Sequence, residues 1–134
     1  MKLRILHLED DANDVELVSY VLKEADPEFA VTVATNREQF RAAMAAGDFD
    51  VILSDNKVPG FNGADALNMT REARSNALFI FVCGSGSLHE AEMRAQALQA
   101  GAVDWVSKSK LESLAETISK AVSKRREQGG IRPD

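Results

Sequence analysis

The stretch Asp50-Phe-Asp-Val-Ile-Leu-Ser-Asp55-Asn-Lys-Val-Pro59-Gly60-Phe-Asn62-Gly63 decides how the chain is read. Val51 to Leu53 is a short β-branched and aliphatic run, suited to a strand, and it leads to a carboxylate. The Pro59-Gly60 and Asn62-Gly63 pairs cannot continue a strand, so the chain must turn after Asp55. Asp55 therefore lies at a strand's carboxyl end. In an open α/β sheet ligands bind at that edge, because loops line the crevice there while helices cover both faces.

Outward from this stretch, strand and helix signals alternate. Leu3 to Leu8 reads as a first strand, and Asn13 is placed to cap a helix with Val15, Val18, Val21, Leu22 and Ala25 at helical spacing. Asp26-Pro27 stops that helix. Phe29 to Ala34 reads as a second strand, and Thr35-Asn-Arg-Glu38 has the capping-box pattern ahead of a stripe of Phe40, Ala43 and Met44 that Gly47 closes. Beyond Gly63 a helix of about three turns turns Leu67, Thr70 and Ala73 inward. Leu78 to Cys83 is the strongest strand, apolar without alternation, and is expected at the sheet's centre. Gly84 to Ser87 is a loop, and Ser87-Leu-His-Glu90 repeats the capping-box pattern before an alanine-rich helix ending at Gly101. A short strand around Trp105 to Ser107 follows. Ser109 opens the last helix, with Leu111, Leu114, Ile118, Ala121 and Val122 inward and Lys124, Arg125 and Arg126 complementing its dipole before Gly129-Gly130. Five βα units predict a doubly wound five-stranded parallel sheet in the flavodoxin-like order 2-1-3-4-5, with helices on both faces. Residues 1–128 are expected as one domain and 129–134 as a tail.

Composition narrows the function. A net charge of -5 over 134 residues argues against nonspecific binding to a phosphate backbone. One cysteine, Cys83, cannot form an internal disulfide, which suits a reducing compartment. No apolar run is long enough to span a bilayer, so a soluble cytoplasmic protein is expected, with neither nucleic acid nor membrane as partner.

In the predicted strand order the first and third strands are neighbours, so Glu9-Asp10-Asp11 and Asp55 meet at one edge. Carboxylates crowded together repel, and a hard divalent cation relieves them; Mg²⁺ fits a shallow site on loops. A carboxylate beside Mg²⁺ can attack a phosphoryl group, and Lys108, at the end of the fifth strand, supplies a second positive charge. His7 is expected as a hydrogen-bonded core histidine and His89 as a solvated one; neither suits a phosphohistidine. Cys83 reads most simply as an inert, buried small hydrophobe.

These residues resemble the response-regulator receiver domains of two-component signalling, of the CheY-like kind. The resemblance rests on Leu-Glu9-Asp10-Asp11, on Ser-Asp55-Asn-Lys-Val-Pro59-Gly60 and on Ala-Gly101-Ala-Val-Asp-Trp105-Val-Ser-Lys108, in order along residues 3 to 125. It implies that Asp55 accepts a phosphoryl group from the phosphohistidine of a sensor kinase or histidine phosphotransfer protein. It also implies that Asp10 binds Mg²⁺ directly, Glu9 acts through water, the Lys57 backbone carbonyl completes the ligands, and Lys108 pairs with phosphoryl oxygens. Asp11 is then a bystander or a substitute for Glu9. The Ser or Thr usual at the end of the fourth strand is replaced by Cys83, a weak donor, with Ser85 as an alternative hydroxyl. Trp105 stands at the usual Tyr or Phe switch position and would swing between exposed and buried states. Ser109 stands where many receivers have a cis-proline. The output surface is expected on the fourth helix, fifth strand and fifth helix. The domain would be a signalling phosphoacceptor and no enzyme in the ordinary sense. The rivals are a receiver-like module working without phosphorylation, an aspartyl-phosphate hydrolase, whose second carboxylate is replaced by Lys57, and an FMN binder, whose phosphate Glu9-Asp10-Asp11 would repel.

Overall fold

The computed structural model describes residues 2–55, 57–73, 75–84 and 90–127. The main elements in chain order are β1 (Arg4–Leu8), α1 (Ala12–Ala25), β2 (Ala30–Ala34), α2 (Arg37–Ala46) and β3 (Val51–Ser54). There follow β4 (Lys57–Val58), β5 (Phe61–Asn62), α3 (Gly63–Glu72), β6 (Leu78–Cys83), α4 (Glu90–Ala100), β7 (Asp104–Ser107), a 3-10 segment (Lys108–Ser113) and α5 (Leu114–Glu127). Five parallel strands form one sheet in the order β2-β1-β3-β6-β7, which is the 2-1-3-4-5 order of the five βα units. The apolar β6 is an interior strand, second from the edge, and β3 takes the centre.

The pleat sends alternate side chains of each strand into two separate cores. Ile5, Val51, Leu53, Ile80, Val82 and Val106 meet Val18 and Leu22 of α1 and Leu114, Ile118 and Val122 of α5. Leu6, Leu8, Ile52, Phe79, Phe81, Cys83 and Trp105 meet Phe40 of α2, Ala66 and Leu67 of α3 and Ala97 of α4. Because both faces are covered, β3 and β6 are buried at every position.

Several local expectations shift by a residue or two. Asp11, not Asn13, caps α1: its carboxylate accepts the backbone N–H groups of Asn13 and Asp14 at 2.8 and 3.1 Å. An Asp at the N-cap also places its carboxylate at the positive end of the helix dipole, which an Asn amide does not. Asn36 caps α2 by accepting from Gln39 N–H, and the Gln39 side chain returns the bond to Thr35. Ala73 is exposed, and the buried face of α3 is Gly63, Ala66, Leu67 and Thr70. The last helix begins later than expected: Ser107 caps a 3-10 segment, whose Lys110 is non-helical, and α5 proper starts at Leu114. The loop after Asp55 contains a two-stranded hairpin, in which Pro59 and Gly60, at φ 74°, make the turn between β4 and β5. The capping box expected at Ser87 to Glu90, the alternative hydroxyl Ser85, His89 and the Gly129-Gly130 tail lie outside the described residues. Among the described residues no helix is long and apolar enough to cross a membrane.

Candidate functional site

Register builds the site. Leu8 pairs with Ser54 across β1 and β3, so Glu9 and Asp55, each one residue further, emerge side by side from the carboxyl edge. Their own backbones continue the ladder: Asp55 N–H donates to Leu8 C=O and Glu9 N–H to Ala34 C=O. Glu9, Asp10 and Asp55 each offer a carboxylate oxygen within 4.8 Å of the others. Glu9 is buried, Asp10 exposed and Asp55 between them, so the group runs from the interior to solvent.

Lys108, the first residue after β7, reaches into this group from the far side of the sheet edge. Its Nζ donates to Asp55 Oδ2 at 3.3 Å and to Asp14 Oδ2 at 2.7 Å, and lies 2.7 Å from Glu9 Oε1. The Glu9 contact is a close ion pair with a carboxylate that is itself buried. Burial opposes the ammonium, but the carboxylates of Asp14, Glu9 and Asp55 outweigh it and hold Lys108 above the ordinary lysine range. Burial raises Glu9 above the usual carboxylate value, with the Asp55 charge adding to it and Lys108 and the Asp11 N–H opposing it.

The fold brings together Glu9, Asp10, Asp55 and Lys108, which the sequence singled out, and adds Asp14, which it did not. The available signal was an acid three residues after the cap Asp11, at the first turn of α1, where it reads as ordinary dipole charge. Asp11 caps α1 through its Oδ1, and the carboxylate group that converges at the edge contains Glu9, Asp10 and Asp55.

Beneath the charges lies His7, on the α1 and α5 side of β1. It is buried and neither ring nitrogen has a hydrogen-bond partner, contrary to the satisfied histidine expected. Burial, helped by the Lys108 charge and opposed by Asp55 and Asp14, lowers its pKa from 6.5 to about 4, so it is neutral at pH 7.

Cys83 ends β6 opposite Ser107 and is 3% exposed on the same face as Phe81 and Trp105. The Trp105 ring is 3% exposed and packs on Phe81 with centroids 5.6 Å apart, so it already occupies an inward position. Arg94 of α4 donates to the Trp105 carbonyl at 2.9 Å. Beside them, Glu90, Arg94, Asp104, Ser109, Lys110 and Thr117 line a groove of about 420 Å³ between α4, β7 and α5. Every peptide bond described is trans, including Lys108-Ser109.

The oxygen-only donor set fits a hard divalent ion: three carboxylates converge, with the Lys108 ammonium beside them among the described residues. Residues 5–119 match the response regulator receiver domain family, and the chain belongs to that family. The transcriptional regulatory protein CusR of Escherichia coli strain K12 is 29% identical over 106 residues, 79% of this chain. The chain spans 44% of that relative's length. Among solved structures, a CheY-like receiver domain protein from Methanospirillum hungatei superposes with a TM-score of 0.79 at 23% identity, covering 96% of this chain and 99% of that one. Full-length FixJ from B. japonicum gives 0.79 at 25% identity, over 92% of this chain and 59% of that one.

Proposed function

We propose that this receiver domain is a Mg²⁺-dependent phosphoacceptor of a two-component relay, with Asp55 as nucleophile. The observation that carries the reading is the position of Asp55, whose carboxylate shares a ligand-capable group with Glu9 and Asp10 and lies 3.3 Å from Lys108 Nζ. An Asp55 oxygen forms a bond to phosphorus as the bond from phosphorus to the donor imidazole nitrogen breaks, and that electron pair leaves with the imidazole. Mg²⁺, held by Glu9, Asp10, Asp55 and the Lys57 backbone carbonyl, would neutralise charge on the transferring oxygens. Lys108 would pair with those oxygens and offset their remaining charge. The donor is the phosphohistidine of a sensor histidine kinase or a histidine phosphotransfer protein, and the domain works in the cytoplasm. Residues 1–128 act as the receiver unit and 129–134 as its tail.

The phosphoryl group then favours a state in which the β6 end and Trp105 are held inward, and the surface of α4, β7 and α5, with its groove, carries the signal to a downstream protein. Cys83, and Ser85 as the alternative, stand for the hydroxyl that would bond the phosphoryl group.

Intact-mass spectrometry after incubation with acetyl phosphate tests the reading. Gain of one phosphoryl group with Mg²⁺, lost on chelation and slowed in Asp10→Asn, is expected. No gain under any condition overturns it in favour of a receiver-like module that binds its partner without phosphorylation.

A further inference from the structure

Asp14 stands apart from the three carboxylates that could hold a metal, yet it makes one of the two shortest contacts to Lys108, at 2.7 Å, against 3.3 Å for Asp55. Its place is built. Asp11 accepts the Asp14 backbone N–H at 3.1 Å, which fixes the first turn of α1. That turn packs against the 3-10 segment that Lys108 begins. The two side chains are 28% and 19% exposed, so the pair is partly withdrawn from water. Its other two partners, Glu9 and Asp55, belong to the ligand-capable group.

A divalent ion and an ammonium within a few ångströms repel each other, so an ion that takes the oxygens of Glu9 and Asp55 displaces Lys108 from both. We propose that Asp14 is a positioning residue for Lys108: it keeps the ammonium at the rim of the acidic group. Mg²⁺ can then take the Glu9 and Asp55 oxygens without stranding a buried lysine charge. Lys108, kept at hand, is released toward phosphoryl oxygens when they arrive. This inference rests on the Mg²⁺-dependent phosphoacceptor reading.

Without Asp14, Lys108 leans on Glu9 and Asp55 and competes directly with the metal. Calorimetric Mg²⁺ titrations of the full chain and of Asp14→Asn, each with Lys108 present or replaced by Ala, separate this role from a general loss of negative charge. Affinity is expected to fall roughly threefold to tenfold in Asp14→Asn when Lys108 is present, and less than twofold in the Lys108→Ala background. Asp14→Glu, which retains the charge, is expected to stay within about twofold of the wild type. Asp14→Ser serves if Asp14→Asn does not fold. Equal losses in the two backgrounds, or no loss with Lys108 present, overturn the proposal while leaving the phosphoacceptor reading intact. A wild-type chain that binds no Mg²⁺ overturns both.

Discussion

Around Lys108, Glu9 and Asp55 were legible as residues because each directly follows a strand, and strand ends can be read from hydropathy. Asp14 was not, because its partner lies 94 residues away and the pairing depends on how α1 packs against the 3-10 segment. His7 was legible as buried, but its two unpaired nitrogens were not, since strand position says nothing about which polar groups come within reach. Its pKa is lowered from 6.5 to about 4 on folding, so the unfolded chain takes up the proton first. Stability is therefore full above 6.5 and is lost as pH falls from 6.5 toward 4. In metal-free urea melts, His7→Leu is expected to gain about 2 kcal/mol relative to the wild type between pH 7 and pH 5. A difference independent of pH would show that His7 is not the group titrating. Cys83 bears a different prediction. In the hydroxyl position proposed for it, the Cys83 thiol is a weak donor, so phosphorylation should change Trp105 fluorescence little. Cys83→Thr should enlarge that response to Mg²⁺ with acetyl phosphate, and equal responses would count against Cys83 as the coupling position.

At the scale of elements, the helices were visible from their periodicity and their ends were harder to place. Cap choice turns on which of several adjacent polar side chains wins a backbone N–H, and in Asp11-Ala-Asn13 it is Asp11. α4 shows the limit of periodicity: it buries only Ala97 fully, so its sequence carries no clear stripe to read. The hairpin after Asp55 was visible as a turn but not as two strands, because two-residue strands have no period. Its exit is tight. A Cβ on Gly63 would collide with Cε1 of Phe81 and come within 3.1 Å of the Asp55 carbonyl oxygen. Phe81 cannot easily yield, being packed between Phe79 and Trp105 at 5.2 and 5.6 Å. Gly63→Ala is therefore expected to cost roughly 1–3 kcal/mol in thermal or urea unfolding. It should also slow phosphorylation by shifting the Asp55 backbone. Unchanged stability would mean that α3 and the hairpin move apart freely.

For the whole molecule, the sheet order followed from five βα units and right-handed crossovers, and the division into two cores follows from the pleat. What the pattern could not supply is the resting state of the far surface, where Trp105 is already packed on Phe81 and Arg94 holds its carbonyl. The sheet thus joins an acidic edge to a groove on α4, β7 and α5, and the central claim is that chemistry at Asp55 links them. The most direct test locates the modification itself. After treatment with acetyl phosphate and Mg²⁺, borohydride reduces an aspartyl phosphate to homoserine, and tandem mass spectrometry finds the altered residue. The conversion is predicted at Asp55 alone and is predicted to vanish in Asp55→Ala; conversion at another carboxylate, or at none, would contradict it.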